Sequence, residues 1–147
     1  MAELTTKHVF EGTLEEVFEG LRQYAKYPDY LPGVTSTSVL PPQASGSVCQ
    51  VRYDMKFIKS FHYTLNMFEE QPARIHWNLA DSNIMKVSSG SWDLKDLGDR
   101  RVQAVYTLDV GFSALVPQKI VDQITKANLP LMMKGFQKLI SDRQAGL

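Results

Sequence analysis

The chain of 147 residues lacks most of the features that reveal a protein's location and partners. Its single cysteine excludes an internal disulfide, and no stretch resembles a secretory signal or approaches the roughly 18 apolar residues that span a bilayer. Lys plus Arg number 16 and Asp plus Glu number 16, so no net charge attracts the chain to nucleic acid or an anionic membrane. The sequence therefore predicts a cytoplasmic protein with no nucleic-acid partner and no integral membrane association.

The motifs of common catalytic and cofactor sites are also missing. The chain has no G-x-S-x-G, H-E-x-x-H, P-loop or dinucleotide-binding pattern. His8, His62 and His76 are too scattered for a metal site, and strand alternation points His62 and His76 outward, where we expect them to be solvated. Cys49 has no neighbouring base in the sequence, so we expect a buried, slowly reacting thiol. These observations predict no catalytic residue, no metal and no cofactor.

The segment TLEEVFEGLRQY predicts an amphipathic helix. Thr13 and Glu16 have the spacing of a capping box at its start, and its apolar side chains recur at helical spacing. These side chains are Leu14, Val17, Phe18, Leu21 and Tyr24. The preceding TKHVFEG is typical of a strand that stops at Gly12, and the prolines of YPDYLPGV allow at most one helical turn before the extended TSTSVL.

From Val48 onward the pattern becomes that of strands. In CQVRYDMKF every second residue from Cys49 to Phe57 is apolar, which places these side chains on one face of a half-buried strand. FHYTLNMF, RIHWNL, KVSSGSWDL and RVQAVYTLDVGF are further predicted strands, and LPPQASGS at 40–47 is short enough for a surface loop. Together they predict a meandering antiparallel sheet with one apolar face and one polar face.

A long C-terminal helix from about Pro117 to Arg143 is the only predicted element large enough to cover that apolar face. Its expected apolar stripe consists of Ile120, Ile124, Ala127, Leu131, Phe136 and Leu139. Pro130 lies between Lys126 and Lys134 at four-residue steps, so we expect it to face water and to bend the helix around the sheet. The length of the chain predicts one α+β domain over residues 1–147.

This order of elements resembles the START-like, or SRPBCC, superfamily, which has the helix-grip fold of the birch-pollen allergen. FEGTLEEVFEGLRQYAKYPDYLPGV, the GSW at 90–92 and the C-terminal helix resemble the branch of polyketide cyclases/dehydrases and coenzyme Q-binding proteins. The resemblance implies a curved antiparallel sheet around a long C-terminal helix, with two short helices after the first strand. It also implies a cavity between sheet and helix, in which members of the superfamily bind lipids, isoprenoid quinones, hormones or polyketides.

The inner face of the sheet supplies the candidate ligand-binding residues. Pattern alone favours a solid core of aromatic and methionine side chains, whereas the resemblance implies that they line a cavity. The candidates are Tyr53, Met55, Phe57, Tyr63, Leu65, Met67, Trp77, Trp92, Tyr106, Leu108, Val110, Met132 and Phe136. Ala104 is a small residue of the same expected lining. Met132, Met133 and Phe136 follow Pro130, so they are either a flexible gate or ordinary core.

Three functions remain open from the sequence. The first is a binding or carrier domain for a hydrophobic small molecule such as a lipid, an isoprenoid quinone or a polyketide-like compound. The second is a polyketide cyclase or aromatase that uses cavity shape and tyrosine hydroxyls, because no Asp, Glu or Lys is placed on the inner face for acid/base work. The third is an interaction module of the ribosome-association toxin kind. The oligomeric state has no sequence signal.

Overall fold

The computed structural model describes residues 2–146, and its largest element is a seven-stranded antiparallel sheet. The strands are β1 (Ala2–Glu11), β2 (Val34–Leu40), β3 (Cys49–Lys56), β4 (Ser60–Glu70), β5 (Arg74–Ser82), β6 (Met85–Gly98) and β7 (Arg101–Phe112). They lie in the order β1-β7-β6-β5-β4-β3-β2. The strands from β2 to β7 therefore form the predicted meander, and β1 joins its far side against β7.

The helices lie at both ends of the chain. They are α1 (Leu14–Leu21), a 3-10 helix (Tyr24–Asp29), α2 (Gln118–Asp122), a π-helix (Gln123–Ala127) and α3 (Leu129–Gln144). The predicted capping box is present, since the Glu16 N–H donates to Thr13 Oγ1 and the Thr13 N–H donates to Glu16 Oε1, both at 3.2 Å. This architecture confirms the predicted α+β helix-grip fold.

The predicted strands are present, and the structure extends most of them. β7 has the predicted bounds, whereas β1 begins at Ala2, before TKHVFEG, and β6 continues to Gly98. These extensions include Thr, Lys and Asp side chains that interrupt the apolar alternation. Backbone pairing with a neighbouring strand holds such residues in the sheet, so side-chain pattern alone ends the strands too early.

The C-terminal helix differs from the prediction of one helix bent at Pro130. The break lies upstream, where α2 passes into the π-helix and Asn128 ends it with φ −100° and ψ 7°. Pro130 lies in the first turn of α3, where its missing N–H is one that the helix would leave unpaired in any case. Pro130 is exposed as predicted, but it begins a helix rather than bending one.

The apolar stripe expected on this helix is correct only in part. Ile120, Phe136 and Leu139 are buried, whereas Ala127 is exposed and Leu131 is 56% exposed. The stripe was extrapolated at α-helical spacing through Gln123–Ala127, which is a π-helix. A π-helix has more residues per turn than an α-helix, so the extrapolated stripe is displaced locally at Ala127 and Leu131.

The two ends of the sheet differ in what covers them. The open end contains the β3–β4 and β5–β6 turns, the start of β2 and the end of β7. Two hydrogen bonds join these segments: the Lys56 N–H donates to the Gly33 carbonyl at 2.8 Å, and the Ser113 N–H donates to the Ile84 carbonyl at 2.9 Å. The closed end is covered by α1 and the C-terminal half of α3. Its core side chains are at most 1% exposed: Phe10, Val17, Phe18, Leu21, Leu139 and Ile140.

Close approach of α1 and α3 seals the closed end. A Cβ added to Gly20 would lie 2.5 Å from Ile140 Cγ1 and 3.2 Å from the Ile140 Cα. The side-chain amide of Gln137 fixes α3 to the end of β1, since its Oε1 accepts from the Glu11 N–H at 2.8 Å. The glycine and this hydrogen bond hold the two helices and β1 in close contact.

Candidate ligand-binding cavity

A cavity of about 140 Å³ lies between the sheet and the C-terminal segment, toward the open end. Its lining includes Pro32, Phe57 and Met85 from the open end and Gln123 from the π-helix. The complete lining is Tyr27, Leu31, Pro32, Val34, Tyr53, Met55, Phe57, Tyr63, Leu65, Met67, Ile75, Trp77, Met85, Ser88, Trp92, Tyr106, Leu108, Val110, Gln123, Ile124, Asn128, Leu129, Met132 and Phe136. The sheet face therefore does not pack solidly against its cover.

The structure places every residue of the predicted ligand-binding set on the wall of this cavity. Whether these residues bind a ligand stays a prediction. Ala104, expected in the lining, lies elsewhere: it is fully buried opposite His8 on β1 and Leu94 on β6, closer to the closed end. Strand alternation identified its face correctly, but alternation does not say how far along the strand the cavity reaches.

Sequence reasoning missed the lining residues that come from loops and from the π-helix. Leu31 and Pro32 belong to the connection before β2, which has no periodic pattern. Gln123 begins the π-helix and Asn128 follows it, and these polar side chains are not part of the predicted apolar stripe. Ser88 is different, because the alternation that places Trp92 inward also places Ser88 inward. The predicted set omits Ser88, since a small polar side chain gives no apolar signal.

Aromatic rings form one connected network in the wall, in which Tyr27 joins Tyr53 at 6.2 Å to Phe136 at 5.3 Å. Tyr53 and Tyr63 stack with ring centroids 4.8 Å apart. Trp92 lies 4.8 Å from Tyr106 and meets Phe136 of α3 edge to face at 5.3 Å. These are the separations at which aromatic pairs attract each other, so the rings stabilise the wall as well as exposing their faces to the cavity.

Gly90 in the GSW motif lets one of these rings lie on the strand. An added Cβ would lie 2.5 Å from the Thr107 carbonyl oxygen and would also overlap the Trp77 indole. Only a glycine leaves room for the indole across β6. The GSW motif therefore shapes the cavity through its glycine, and it packs the sheet against α3 through the Trp92 contact with Phe136.

The wall carries no formal charge, since no Asp, Glu, Lys, Arg or His is among the described lining residues. Its phenols stay protonated because burial raises the pKa of Tyr53, Tyr63 and Tyr106. The Tyr27 hydroxyl donates to the Leu21 carbonyl, and the Tyr63 hydroxyl lies 3.9 Å from Met55 Sδ, a weak acceptor. The described wall offers neutral hydrogen-bonding groups and contains no Asp, Glu, Lys or His to act as a general base.

One acidic side chain does lie on the inner face, contrary to the prediction that none is placed there. Glu69 at the end of β4 is 5% exposed and accepts from Arg22 Nε at 2.9 Å and from the Tyr24 hydroxyl at 2.7 Å. Burial, followed by the Glu69 charge, raises the pKa of Tyr24. Glu69 is not among the lining residues, so this ion pair ties α1 to β4 outside the cavity.

The other titratable candidates also lie outside the cavity. Cys49 is half-buried, and burial raises the pKa of its thiol, which disfavours the reactive thiolate. His76 faces outward, stacked on Phe68 at 4.8 Å and 3.4 Å from Glu70 Oε2. His62 was expected to be solvated, but its Nδ1 is buried without a hydrogen-bond partner, because neighbouring strands cover an outward side chain in the middle of a sheet.

Metal-ligand clusters and membrane-spanning helices are not found in the part of the chain that the structure describes. Within residues 2–146, no group of three or more His, Cys, Asp or Glu side chains is arranged to hold a metal ion. No helix in the same range is both long and apolar enough to cross a bilayer.

The fold and the cavity agree with a family comparison over nearly the whole chain. Residues 1–142 match the model of the family described as polyketide cyclase/dehydrase and lipid transport. The chain therefore belongs to this family. Comparison with curated protein sequences gave no match.

Several solved structures share the fold at low sequence identity. The Zhui aromatase/cyclase from Streptomyces sp. R1128 has a TM-score of 0.81 and 16% identity, covering 97% of this chain and 95% of its own. A START superfamily protein from Mycobacterium smegmatis has a TM-score of 0.80 and 15% identity, covering 96% and 98%. The di-domain aromatase/cyclase StfQ of steffimycin biosynthesis has a TM-score of 0.71 and 9% identity, covering 99% of this chain and 52% of its own. At these identities the likeness shows the fold alone.

Proposed function

We propose that the chain is a binding or carrier domain for a neutral hydrophobic small molecule held between the sheet and the C-terminal segment. The observation that supports this most is the composition of the cavity wall, in which aromatic, methionine and aliphatic side chains predominate and no described residue is charged. Burial of apolar ligand surface in such a site is favourable by about 25 cal/mol per Å². An ionised carboxylate or phosphate would lose its hydration there without a compensating charge.

The size of the cavity limits the part of the ligand that it holds. Its volume of about 140 Å³ is close to the roughly 150 Å³ of an apolar cavity that admits benzene. One ring, or one segment of a lipid, isoprenoid or polyketide chain, fits without rearrangement. A longer body has to displace side chains at the open end, and Met132 is suited to this because its unbranched thioether adopts several rotamers.

Tryptophan fluorescence tests the proposal directly. Trp77 and Trp92 are the only tryptophans in the chain, and both line the cavity. We expect menadione, a neutral quinone, to quench their fluorescence saturably. The menadione concentration at half-maximal quenching should be unchanged between about 0.05 and 1 M NaCl, because apolar burial rather than charge drives binding. Quenching that rises linearly without saturation would mean collision with free quinone and would contradict the proposal.

Two serines on β6 provide a matched pair of variants. Ser88 lines the cavity and is 4% exposed, whereas Ser89 is the next residue and does not line it. We expect Ser88→Leu to fill the cavity, to abolish saturable quenching and to leave the thermal midpoint unchanged or higher. Ser89→Leu should bind menadione like the wild type. Saturable quenching that survives in Ser88→Leu would place the ligand elsewhere.

A polyketide cyclase or aromatase is the second candidate. The family description and the likeness to an aromatase/cyclase favour it, and a cavity that folds a reactive chain supplies part of such catalysis by orientation alone. The raised pKa values of the buried phenols leave them as proton donors at neutral pH rather than bases. If a Tyr53→Phe, Tyr63→Phe or Tyr106→Phe variant lost cyclised product while retaining menadione binding, the cyclase would replace the carrier. The interaction-module hypothesis draws no support from the cavity.

A further inference from the structure

One fully buried side-chain polar atom in the described cavity wall lacks a hydrogen-bond partner. The side-chain oxygen Oε1 of Gln123 is buried and accepts no hydrogen bond, and Gln123 lines the cavity. An amide oxygen only accepts hydrogen bonds, so only a group with an N–H or O–H donor can satisfy it. Buried polar atoms without partners are rare in folded proteins because they lose hydration without replacement, so each one needs an explanation.

The local backbone accounts for the position of this side chain. Gln123 is the first residue of the π-helix, whose wider turn is maintained by hydrogen bonds from side chains: Thr125 Oγ1 donates to the Val121 carbonyl at 2.8 Å, and Asn128 Nδ2 donates to the Gln123 carbonyl at 3.4 Å. The backbone oxygen of Gln123 is therefore satisfied, whereas its side-chain oxygen is not. Short π-helices recur at functional sites, where they re-aim a side chain.

We propose that Gln123 Oε1 accepts a hydrogen bond from a hydroxyl group of the ligand. This inference rests on the proposed function and narrows it to a class: a neutral molecule with an apolar body and a hydrogen-bond donor, such as a phenol, a quinol or an alcohol. A carboxylate or phosphate end would bring negative oxygens against an acceptor, with no described cationic side chain in the lining. A quinone has acceptors only and would leave Oε1 unpaired.

Two probes of nearly equal shape separate this hydrogen bond from general hydrophobicity. In 2-naphthol a hydroxyl occupies the place of the methyl group in 2-methylnaphthalene, and only the hydroxyl donates. Equilibrium dialysis of both probes against the wild type and Gln123→Met gives a ratio of dissociation constants for each protein. Methionine keeps the length of glutamine and replaces the amide oxygen with a thioether sulfur, a much weaker acceptor. Comparing the two ratios cancels the difference in hydrophobicity between the probes.

We expect the preference of the wild type for 2-naphthol to fall about three- to tenfold in Gln123→Met, the value of one neutral hydrogen bond. The Gln118→Met variant is the matched control, because Gln118 is exposed five residues earlier and does not line the cavity. It should keep the wild-type ratio. If Gln123→Met does not fold, the wild type alone still tests whether the ligand needs a donor. In that test 2-naphthol should bind more tightly than 2-methoxynaphthalene, which keeps the oxygen but cannot donate.

The outcomes distinguish this inference from the function on which it rests. Equal ratios in the wild type and Gln123→Met would overturn the role of Gln123, whether or not 2-naphthol is preferred, and would leave a hydrophobic binding domain in place. Equal affinity of the wild type for 2-naphthol and 2-methoxynaphthalene would overturn the hydroxyl class. Failure of both naphthalene probes and of menadione to bind would remove the proposed function itself.

Discussion

The two halves of the α3–sheet interface differ in how completely their side chains fill the space between helix and sheet. At the closed end Leu139 and Ile140 are 1% exposed and pack against α1, where Gly20 brings the backbones close. At the open end the same helix begins after a π-helix and faces a cavity through Met132 and Phe136. One continuous apolar sheet face is thus filled at one end and left unfilled at the other. We therefore expect stability to be concentrated at the filled end, and adaptability at the end where Met132 borders the cavity.

The largest difference between the halves should appear in the free energy of unfolding. Leu139→Ala removes a fully packed side chain at the closed end, and we expect it to cost about 2–5 kcal/mol. Met132→Ala at the cavity should cost about 1 kcal/mol or less, because Met132 is only half-buried and already borders a void. Urea denaturation followed by circular dichroism gives both values. Equal costs would show that the open end is packed as firmly as the closed end.

A glycine near the boundary between the halves gives the second effect. A Cβ at Gly135 would overlap the Tyr30 carbonyl oxygen, a backbone atom that cannot rotate away. Gly135→Ala should therefore destabilise the protein by about 1–3 kcal/mol, although alanine gains about 1 kcal/mol in helix propensity. Lys134→Ala, at the exposed neighbouring position, should change stability by less than about 0.5 kcal/mol. A stabilised Gly135→Ala would show that the 3-10 connection moves freely against α3.

The phenols should affect ligand affinity and leave the fold intact. Replacing Tyr53, Tyr63 or Tyr106 by Phe removes one hydroxyl from the cavity wall, and we expect a change in menadione affinity of about 0.5–1.5 kcal/mol. Their rings remain, so the stacking of Tyr53 on Tyr63 and the contact of Tyr106 with Trp92 are retained. Fluorescence titration of each variant measures the effect. A variant that loses binding entirely would assign that phenol a larger role than a single neutral hydrogen bond.

The smallest effect is expected at Pro130. The sequence predicts that Pro130→Ala straightens the helix, but in the structure the break belongs to Gln123–Ala127 and Asn128. Alanine in the first turn of α3 should therefore change stability by less than about 0.5 kcal/mol, and menadione exchange should be unchanged. Stopped-flow displacement and thermal melting check both statements. Faster or slower menadione exchange in Pro130→Ala would show that the proline causes the bend.

The fold was predictable from sequence where period and pattern are strong. Alternation from Cys49 to Phe57 and along RVQAVYTLDVGF identifies strands and their buried face, and the capping box at Thr13 identifies the start of α1. The same alternation selected cavity-facing residues. It could not locate Gln123, because an amide on a helix has the same sequence signal whether it faces water or a cavity.

The remaining errors concern features that local pattern does not specify. Ala104 lies on the predicted face of β7 but beyond the cavity, toward the closed end. Ala127 lies in a π-helix and Leu131 follows it, and no residue pattern distinguishes this helix from an α-helix. Glu69 continues the inward alternation of β4, although a buried carboxylate is unfavourable without partners. Its partners Arg22 and Tyr24 are distant in sequence, so local pattern does not predict them.

The position of β1 beside β7 has a consequence for how the chain acquires its fold during synthesis. Glu11 pairs with Arg101 and Ala2 with Val110, so β1, the first strand of the sheet in chain order, pairs only with β7, the last. Until β7 has been synthesised, β1 has no strand partner, whereas the strands from β2 to β6 already pair with their neighbours. At about 5–20 residues per second this interval lasts several seconds. Folding of the sheet is therefore expected to end with the docking of β1, and the closed end is sealed only once α3 packs against α1.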